Sequence, residues 1–441
     1  MPFGLGGCRK GTRPSVSAGV WEFAGLDMAR PLQDDLPLGE RIAYWRRRRG
    51  MSQRVCAELV GRTEGWLSQI ERGIRPLDRL SVLVELARVL RVDPGELTGA
   101  AIRQLTPNGH DHPAVAAIRA QLMRYDTVAG VASPPGTEEP QLRDLASLRR
   151  DAEHTWEIRQ AARYDELGTM LPRLLAEVQL AVQQASDQDL QAALTIQVHV
   201  LNGAAALLRK FGDAESAWVA ADRAMAAAAR AEDPLLVAAA ARRAANVFLA
   251  AGRLGEARDL ALGAAAPLEE GLGAATPQHL AMWGGLLLTA VLAVSRQSDH
   301  SATYELLGEA RIAGERLGRD VDNLYAVFGP TDVAIYDVQA SVELGNPARA
   351  IRRAETVDTS GLAVGLLERR CHHLIDVARG HSQLRDDESA VATLLEAEQV
   401  APQELKYNGL VRGTIREMLR RERRTIRPAL RGLASRTGVL D

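Results

Sequence analysis

The sequence predicts an all-α protein, with a compact five-helix domain near the amino end followed by a long α-solenoid of helix pairs. Three observations carry that expectation. Of 441 residues, 46% are hydrophobic but only 4% are aromatic; the balance is mostly Ala, Leu and Val, and Ala and Leu are the strongest apolar helix formers. Short segments with helical periodicity, each closed by glycine, fill residues 38–100. From about residue 141 the helix-to-helix junctions recur at a regular interval. A chain of this length exceeds one small core, so two or three folding units are expected.

Residues 1–36 are rich in Gly and Pro and read as an irregular extension. A second methionine, Met28, opens MARPLQDDLPLGERI just before the first good helix, so residues 1–27 read as a disordered extension or as the product of an upstream start. No continuous apolar segment follows the early basic residues, which argues against a signal peptide. The longest uncharged apolar stretch, Leu280 to Ser295, is shorter than the roughly 20 residues a spanning helix needs. It reads as a buried core helix, and no membrane partner is expected. Cys8, Cys56 and Cys371 lie far apart without metal-ligand spacing, which fits a reducing cytoplasm rather than a disulfide framework.

Within 38–100 each element has its own signal. GERIAYWRRRRG (39–50) places Ile42 and Trp45 at helical spacing and ends in four arginines before Gly50; cations suit a helix C-terminus, and glycine suits the left-handed cap. Ser52 caps a second helix that stops at Gly61, and Thr63 caps a third, EGWLSQIE, closed by Gly73. Asp78 opens a fourth, with Leu80, Leu83, Leu86, Ala87 and Leu90 along one face. Asp93-Pro94 opens a short fifth. Two short helices joined by a tight glycine turn make a helix-turn-helix, whose second helix enters the major groove of DNA. Here that helix is 64–71. Leu67 and Ile70 face the core, leaving Glu64, Gly65, Ser68 and Gln69 on the opposite side. Gln69 can pair bidentately with adenine. Glu64 can accept from cytosine or simply offset the helix dipole, and both readings stay open.

Charge points the same way. Residues 38–100 hold twelve Arg against eight acidic residues, a net +4, while the whole chain carries −2. The positive charge is concentrated where DNA would lie.

The spacing G-x-R-I-x-x-W-R-x-x-R-G-M-S-Q, followed by G-x-T-x-x-x-L-S-x-I-E-x-G, closely resembles the Cro/CI-type (XRE-family) helix-turn-helix domain. The resemblance implies double-stranded DNA as partner and Gln53 as a phosphate and orientation contact. It implies base-facing positions at Glu64, Gly65, Ser68 and Gln69, with Thr63 opening that interface. Arg62, Arg72, Arg75 and Arg79 match positions near the backbone, and an ion pair between Arg46 and Glu71 is implied to lock the first helix to the third. Three departures stand out: Cys56 replaces the usual leucine, Trp45 is bulkier than usual, and Gly65 removes a side chain that often reads bases. Modest or shape-assisted specificity is therefore expected.

Residues 101–140 carry TPNGHDHP and ASPPGTEEP and read as a linker around one short helix, Ala114 to Tyr125. The solenoid is expected over 141–425. Gly212 and Gly252 stand forty apart with Ala217 and Ala257 in step, and Ala350 and Ala390 repeat the interval. RQSDHSATYELLGEA reads as a degenerate copy between them. The segments FGPTDVAIYDVQASVELG and RRCHHLIDVARGHSQ resemble the tetratricopeptide-like solenoids that follow such domains in actinobacterial regulators, and the Arg- and Ala-rich composition suits a high-GC bacterium. Residues 426–441 read as a basic tail, which the sequence leaves as a solvated end or a second phosphate contact.

Other candidates have plain readings. Cys371-His372-His373 with His381 could suggest a metal site, but adjacent helical residues point about 100° apart, so His372 and His373 do not easily face one ion; Asp376 is the only nearby acid, and no metal site is expected. Thr331 and Asp332 read as helix caps. No phosphate loop, nucleophile elbow, HExxH or paired-carboxylate motif is visible, so no enzyme and no cofactor are expected. The expected function is a cytoplasmic, homodimeric transcriptional regulator whose solenoid binds a small-molecule or peptide effector. The alternative is a protein-interaction adaptor with an accessory DNA-binding domain.

Overall fold

Six helix hairpins repeat one backbone device in the computed structural model, which describes residues 37–75, 77, 80–90, 92, 97, 112–124, 141–322, 327–359, 362–363 and 365–440. The pairs are α6 (Leu145–Gln160) with α7 (Tyr164–Gln184), α8 (Leu190–Lys210) with α9 (Ala214–Ala231), and α10 (Pro234–Ala250) with α11 (Leu254–Glu269). They continue as α12 (Pro277–Arg296) with α13 (His300–Leu317), α14 (Pro330–Glu343) with α15 (Pro347–Ala354), and α16 (Leu367–Gln383) with α17 (Asp387–Val400). Every turn places one residue in the left-handed region: Ala162, Gly212, Gly252, Ser298, Gly345 or Arg385, with φ between 53° and 82°. The next N–H reaches back five residues, as from Asp213 to Leu208 O and from Asp386 to His381 O, both within 3.0 Å. That bond satisfies a carbonyl which the helix end leaves orphaned. Asp213, Asp299, Asn346 and Asp386 then cap the outgoing helix with their side chains. The same turn thus recurs in the backbone, at forty residues from Gly212 to Gly252 and from Gly345 to Arg385 but at longer intervals elsewhere. Ser298 marks the degenerate copy, and Ala217, Ala257, Ala350 and Ala390 are all fully buried where paired helices approach.

The first helices of the pairs form an inner ring. Each of α6, α8, α10, α12, α14 and α16 packs against the next, and α16 packs back against α6. One hydrophobic cluster accordingly joins residues 114–247 to residues 371–434. Closure is polar at its centre. Glu404, fully buried on α18 (Pro402–Tyr407), receives the Lys210 ammonium on both oxygens at 2.8 and 2.6 Å, and His372 Nε2 lies 2.8 Å away. The Tyr164 hydroxyl lies in reach of Glu404 and of Glu368, which also accepts from Arg159 at 2.6 Å. Burial alone would raise both carboxylates; Lys210 at Glu404, with the His372 ring beside it, and Arg159 at Glu368 hold them well below the ordinary value.

Between α13 and α14 lies the only strand pair among the described residues, an antiparallel ribbon of β1 (Val321–Asp322) and β2 (Val327–Phe328). Phe328 sits where a side chain on Gly284 of α12 would have to be.

Several expectations are corrected. The short helix, α5 (Pro113–Leu122), is not a linker element: Val115 and Ile118 are fully buried, and it packs on α7 and α9. The supposed basic tail over 426–441 carries a helix, α20 (Arg427–Arg436), which follows α19 (Gly409–Leu419) after a turn and whose Leu430 and Leu433 are fully buried. Its arginines stay largely in solvent, as a solvated end would leave them, while Arg431 pairs with Glu422 and Arg436 with Glu398 at the surface. Thr331 and Asp332 do not cap α14; the Asp320 carboxylate accepts from their N–H groups, and Asp332 pairs with Arg369 at 2.9 Å. Helices α8 and α12 are long and apolar enough to cross a membrane, but 89% of the most apolar window of α12 is buried in the fold, as expected of a core helix. The extension over 1–36 and its alternative start, the remaining linker residues and Arg79 lie outside the described residues. So does the fifth helix, except Leu97.

The amino-terminal domain has its own core. Helices α1 (Leu38–Arg48), α2 (Gln53–Leu59), α3 (Glu64–Glu71) and α4 (Leu80–Leu90) close over Ile42, Cys56, Leu67, Leu86 and Leu90. Cys56 is fully buried at the position a leucine was expected to fill, and burial pushes its thiol up, so it acts as a small apolar group.

Candidate nucleic-acid interface

Helices α2 and α3 meet at a turn fixed by Gly61, whose φ of 65° favours glycine. The Arg62 N–H bonds to Ala57 O at 2.8 Å. Ser52 Oγ accepts from Val55 N and Thr63 Oγ1 from Trp66 N, both at 3.2 Å, so each helix starts on the residue the sequence marks. Helix α3 is sharply two-sided. Leu67, Ile70 and Glu71 are buried, whereas Glu64, Gly65 and Gln69 are exposed and Ser68 is half-buried. The four base-facing candidates therefore do share the outer side. Nothing lies within 4 Å of the space a side chain on Gly65 would fill, so the helix surface is open there.

What aims this face is a buried polar clamp. Arg46 Nε and Nη2 donate to Glu71 at 2.6 and 2.9 Å, and Arg46 Nη1 donates to Met51 O at 2.7 Å. The implied ion pair between α1 and α3 is present, and Glu71 raises the Arg46 guanidinium further by bonding to it. Gln53 Nε2 donates to the same Glu71 at 2.7 Å, so the start of α2 is tied to the end of α3. An amide nitrogen has two hydrogens; one is used here, which leaves the other for a phosphate.

Gly39 opens the family spacing, but the sequence assigns it no role. A Cβ there would stand 2.2 Å from Ile70 O and 2.8 Å from Glu71 O, so α1 rides directly on the last carbonyls of α3. Gly39→Ala is expected to force the helices apart and cost about 1–3 kcal/mol, the usual penalty of overpacking. Hydrogen exchange across residues 38–71 would read this as faster exchange. Unchanged protection would mean that α1 and α3 adjust freely.

Cations surround the exposed face. Arg62 lies 5.9 Å from the Trp66 ring centroid, and Arg72 Nε reaches Ser68 O at 3.2 Å. Both are exposed, as is Arg75. Arg49 is different: its Nε donates to Leu90 O at 2.9 Å and braces α1 against α4. Arg54, exposed in the first turn of α2 beside Gln53, was not singled out from sequence; its adjacency to a cap was the available signal.

A two-helix unit with a left-handed glycine turn, a buried inner face and a polar outer face ringed by arginine has the form that docks in a major groove. Residues 37–99 match the helix-turn-helix domain family. No curated protein and no solved structure matches the chain. The helix-turn-helix domain supports DNA binding.

Glu368, His372 and Glu404 place ligand atoms within 4.8 Å of one another, as a metal triad does. Lys210, Arg159, Tyr164 and Asn408 already engage these carboxylates, so the cluster is accounted for as the ring closure. The other residues of the Cys-His group diverge: His381 bonds Asp386 at 3.1 Å and Cys371 is buried near Ala397 O.

Proposed function

We propose that this chain is a sequence-specific transcriptional regulator of the Cro/CI type, acting in the cytoplasm and without catalysis. The observation that carries the reading is α3, with Leu67 and Ile70 buried and Glu64, Ser68 and Gln69 turned outward between Arg62 and Arg72. Gln69 reads adenine, and Ser68 and Glu64 supply further base-edge contacts. Gln53, Arg54, Arg62, Arg72 and Arg75 hold phosphates, which set register rather than sequence. Two copies bind as a homodimer, and the tetratricopeptide-like ring takes an effector that changes how two recognition helices are spaced. Half-sites one turn apart lie about 34 Å from each other, so a small rearrangement alters the fit.

Titration of duplexes selected by the full chain, at several salt concentrations, tests this. Gln69→Ala is expected to lose about 1–3 kcal/mol at the preferred sequence, while Arg62→Ala weakens all sequences alike and lowers the salt slope by about one. A wild-type protein that shows no sequence preference, with both variants unchanged, would leave the adaptor as the better description.

A further inference from the structure

The inner ring carries more arginine than it has acid to balance. Between α6, α8 and α10 lies a pocket lined by Trp156, Arg159, Asn202, Arg242 and Arg243. Its empty space is about 480 Å³ with the open mouth included, but the room in which an atom-sized group can centre is only about 30 Å³. That suits one small head group rather than a whole buried ligand.

The nearby acids are taken. Glu368 is bound by Arg159 and Asp332 by Arg369. Arg242 Nε donates to a backbone carbonyl, Gly285 O, at 3.0 Å. Arg243 Nε is buried and has no hydrogen-bond partner among the described residues, and the same holds for Arg209 Nε on α8. Burial, then Arg159, Arg209 and Arg242, push the Arg243 guanidinium well below its usual range. Burial, then Arg149, lowers His199 in the same wall to about 4, so it is neutral at pH 7 and adds no charge. Arg243 as a residue is half-buried, but its enclosed Nε without a partner is costly in a cation. The cost is removed by an anion that brings several acceptor oxygens to the planar guanidinium. Asn202 Oδ1 is also buried without a partner; as an acceptor it calls for a hydroxyl or N–H on the same ligand.

We infer that the pocket binds the phosphate head of a small hydroxyl-bearing phosphate ester, with Arg242 and Arg243 on the phosphate and Asn202 on the hydroxyl. This names the effector class for the regulator reading above and rests on that reading only for its consequence at DNA. Binding itself belongs to the ring.

The test uses the full chain in chloride buffer at fixed ionic strength, with inorganic phosphate, glycerol 1-phosphate and acetate as probes followed by calorimetry and thermal unfolding. Saturable binding of glycerol 1-phosphate is expected, tighter than inorganic phosphate, with acetate at least tenfold weaker. Arg243→Met should weaken it at least tenfold while leaving the unliganded melting temperature unchanged or raised. Asn202→Asp should raise that temperature by giving the arginines a carboxylate, and should abolish the response. Equal responses in wild type and Arg243→Met, or no saturable binding by either phosphate, would overturn the proposal. Sequence-specific DNA binding in such a protein would leave the regulator reading intact. Conversely, phosphate binding without any duplex binding would remove the regulator reading and leave the site standing.

Discussion

Lys210→Met is expected to destabilise the ring by about 3–5 kcal/mol, the loss that follows when one partner of a buried ion pair is removed. The magnitude follows from what remains. Glu404 is fully buried, and Glu368 stands beside it, so without Lys210 two carboxylates face each other with less cation between them. Thermal unfolding followed by circular dichroism should show a fall of roughly 5–15 °C for a unit of this size. A shift below about 1 °C would mean that closure does not depend on this pair. Removing both charges, as Lys210→Met with Glu404→Leu, should recover most of the loss, because a well-packed apolar replacement is often neutral. The same network sets an acid limit. Both carboxylates are depressed in the folded state, so their contribution is complete above the ordinary glutamate value of 4.5 and is lost as pH falls through the lowered folded values. Wild type should therefore lose stability on acidification below that point more steeply than the double variant does.

Glu71→Gln is the second large effect, and it falls on the DNA-binding unit. The change keeps the shape of Glu71 but leaves the Arg46 guanidinium, 8% exposed, without its counter-charge and takes the ionised acceptor from Gln53. A cost of about 3–5 kcal/mol is most of what a domain of some sixty residues possesses. Protection from hydrogen exchange over residues 38–90 should collapse, and duplex affinity should fall with it. The ring should melt as before. Glu64→Gln, on the exposed side of the same helix, is the matched control and should leave the fold untouched. Replacement of both clamp residues, Arg46→Met with Glu71→Leu, should restore protection; failure of that pair while Glu71→Gln is tolerated would show that the clamp is incidental.

Local signals made the DNA-binding domain legible. Ser52, Thr63, Gly61 and Gly73 act over one turn of chain, and the outer side of α3 follows from the positions of Leu67 and Ile70 alone. The solenoid was legible where glycine marks a turn and less so at Ala162, Ser298 and Arg385, which adopt the same left-handed backbone without a glycine to announce it. Ring closure could not be read at all. It depends on Tyr164, Lys210 and Glu404, separated by up to 240 residues, and no periodicity links them. The tail was read by its charge alone for the same reason, because Leu430 and Leu433 of α20 are covered by α17 and α19, which its own composition does not announce. The role of Gly39 was missed for a related reason: it lies in the carbonyls of α3, not in its own helix.

Dimethyl sulfate footprinting, on duplexes enriched from a random pool by the full chain, tests the placement of α3 most directly, since guanine N7 lies in the major groove. Protection of N7 positions in the enriched site, reduced by Gln69→Ala together with Ser68→Ala, is the expected result. Enrichment of no sequence, or protection confined to minor-groove adenine N3, would contradict a recognition helix in the major groove.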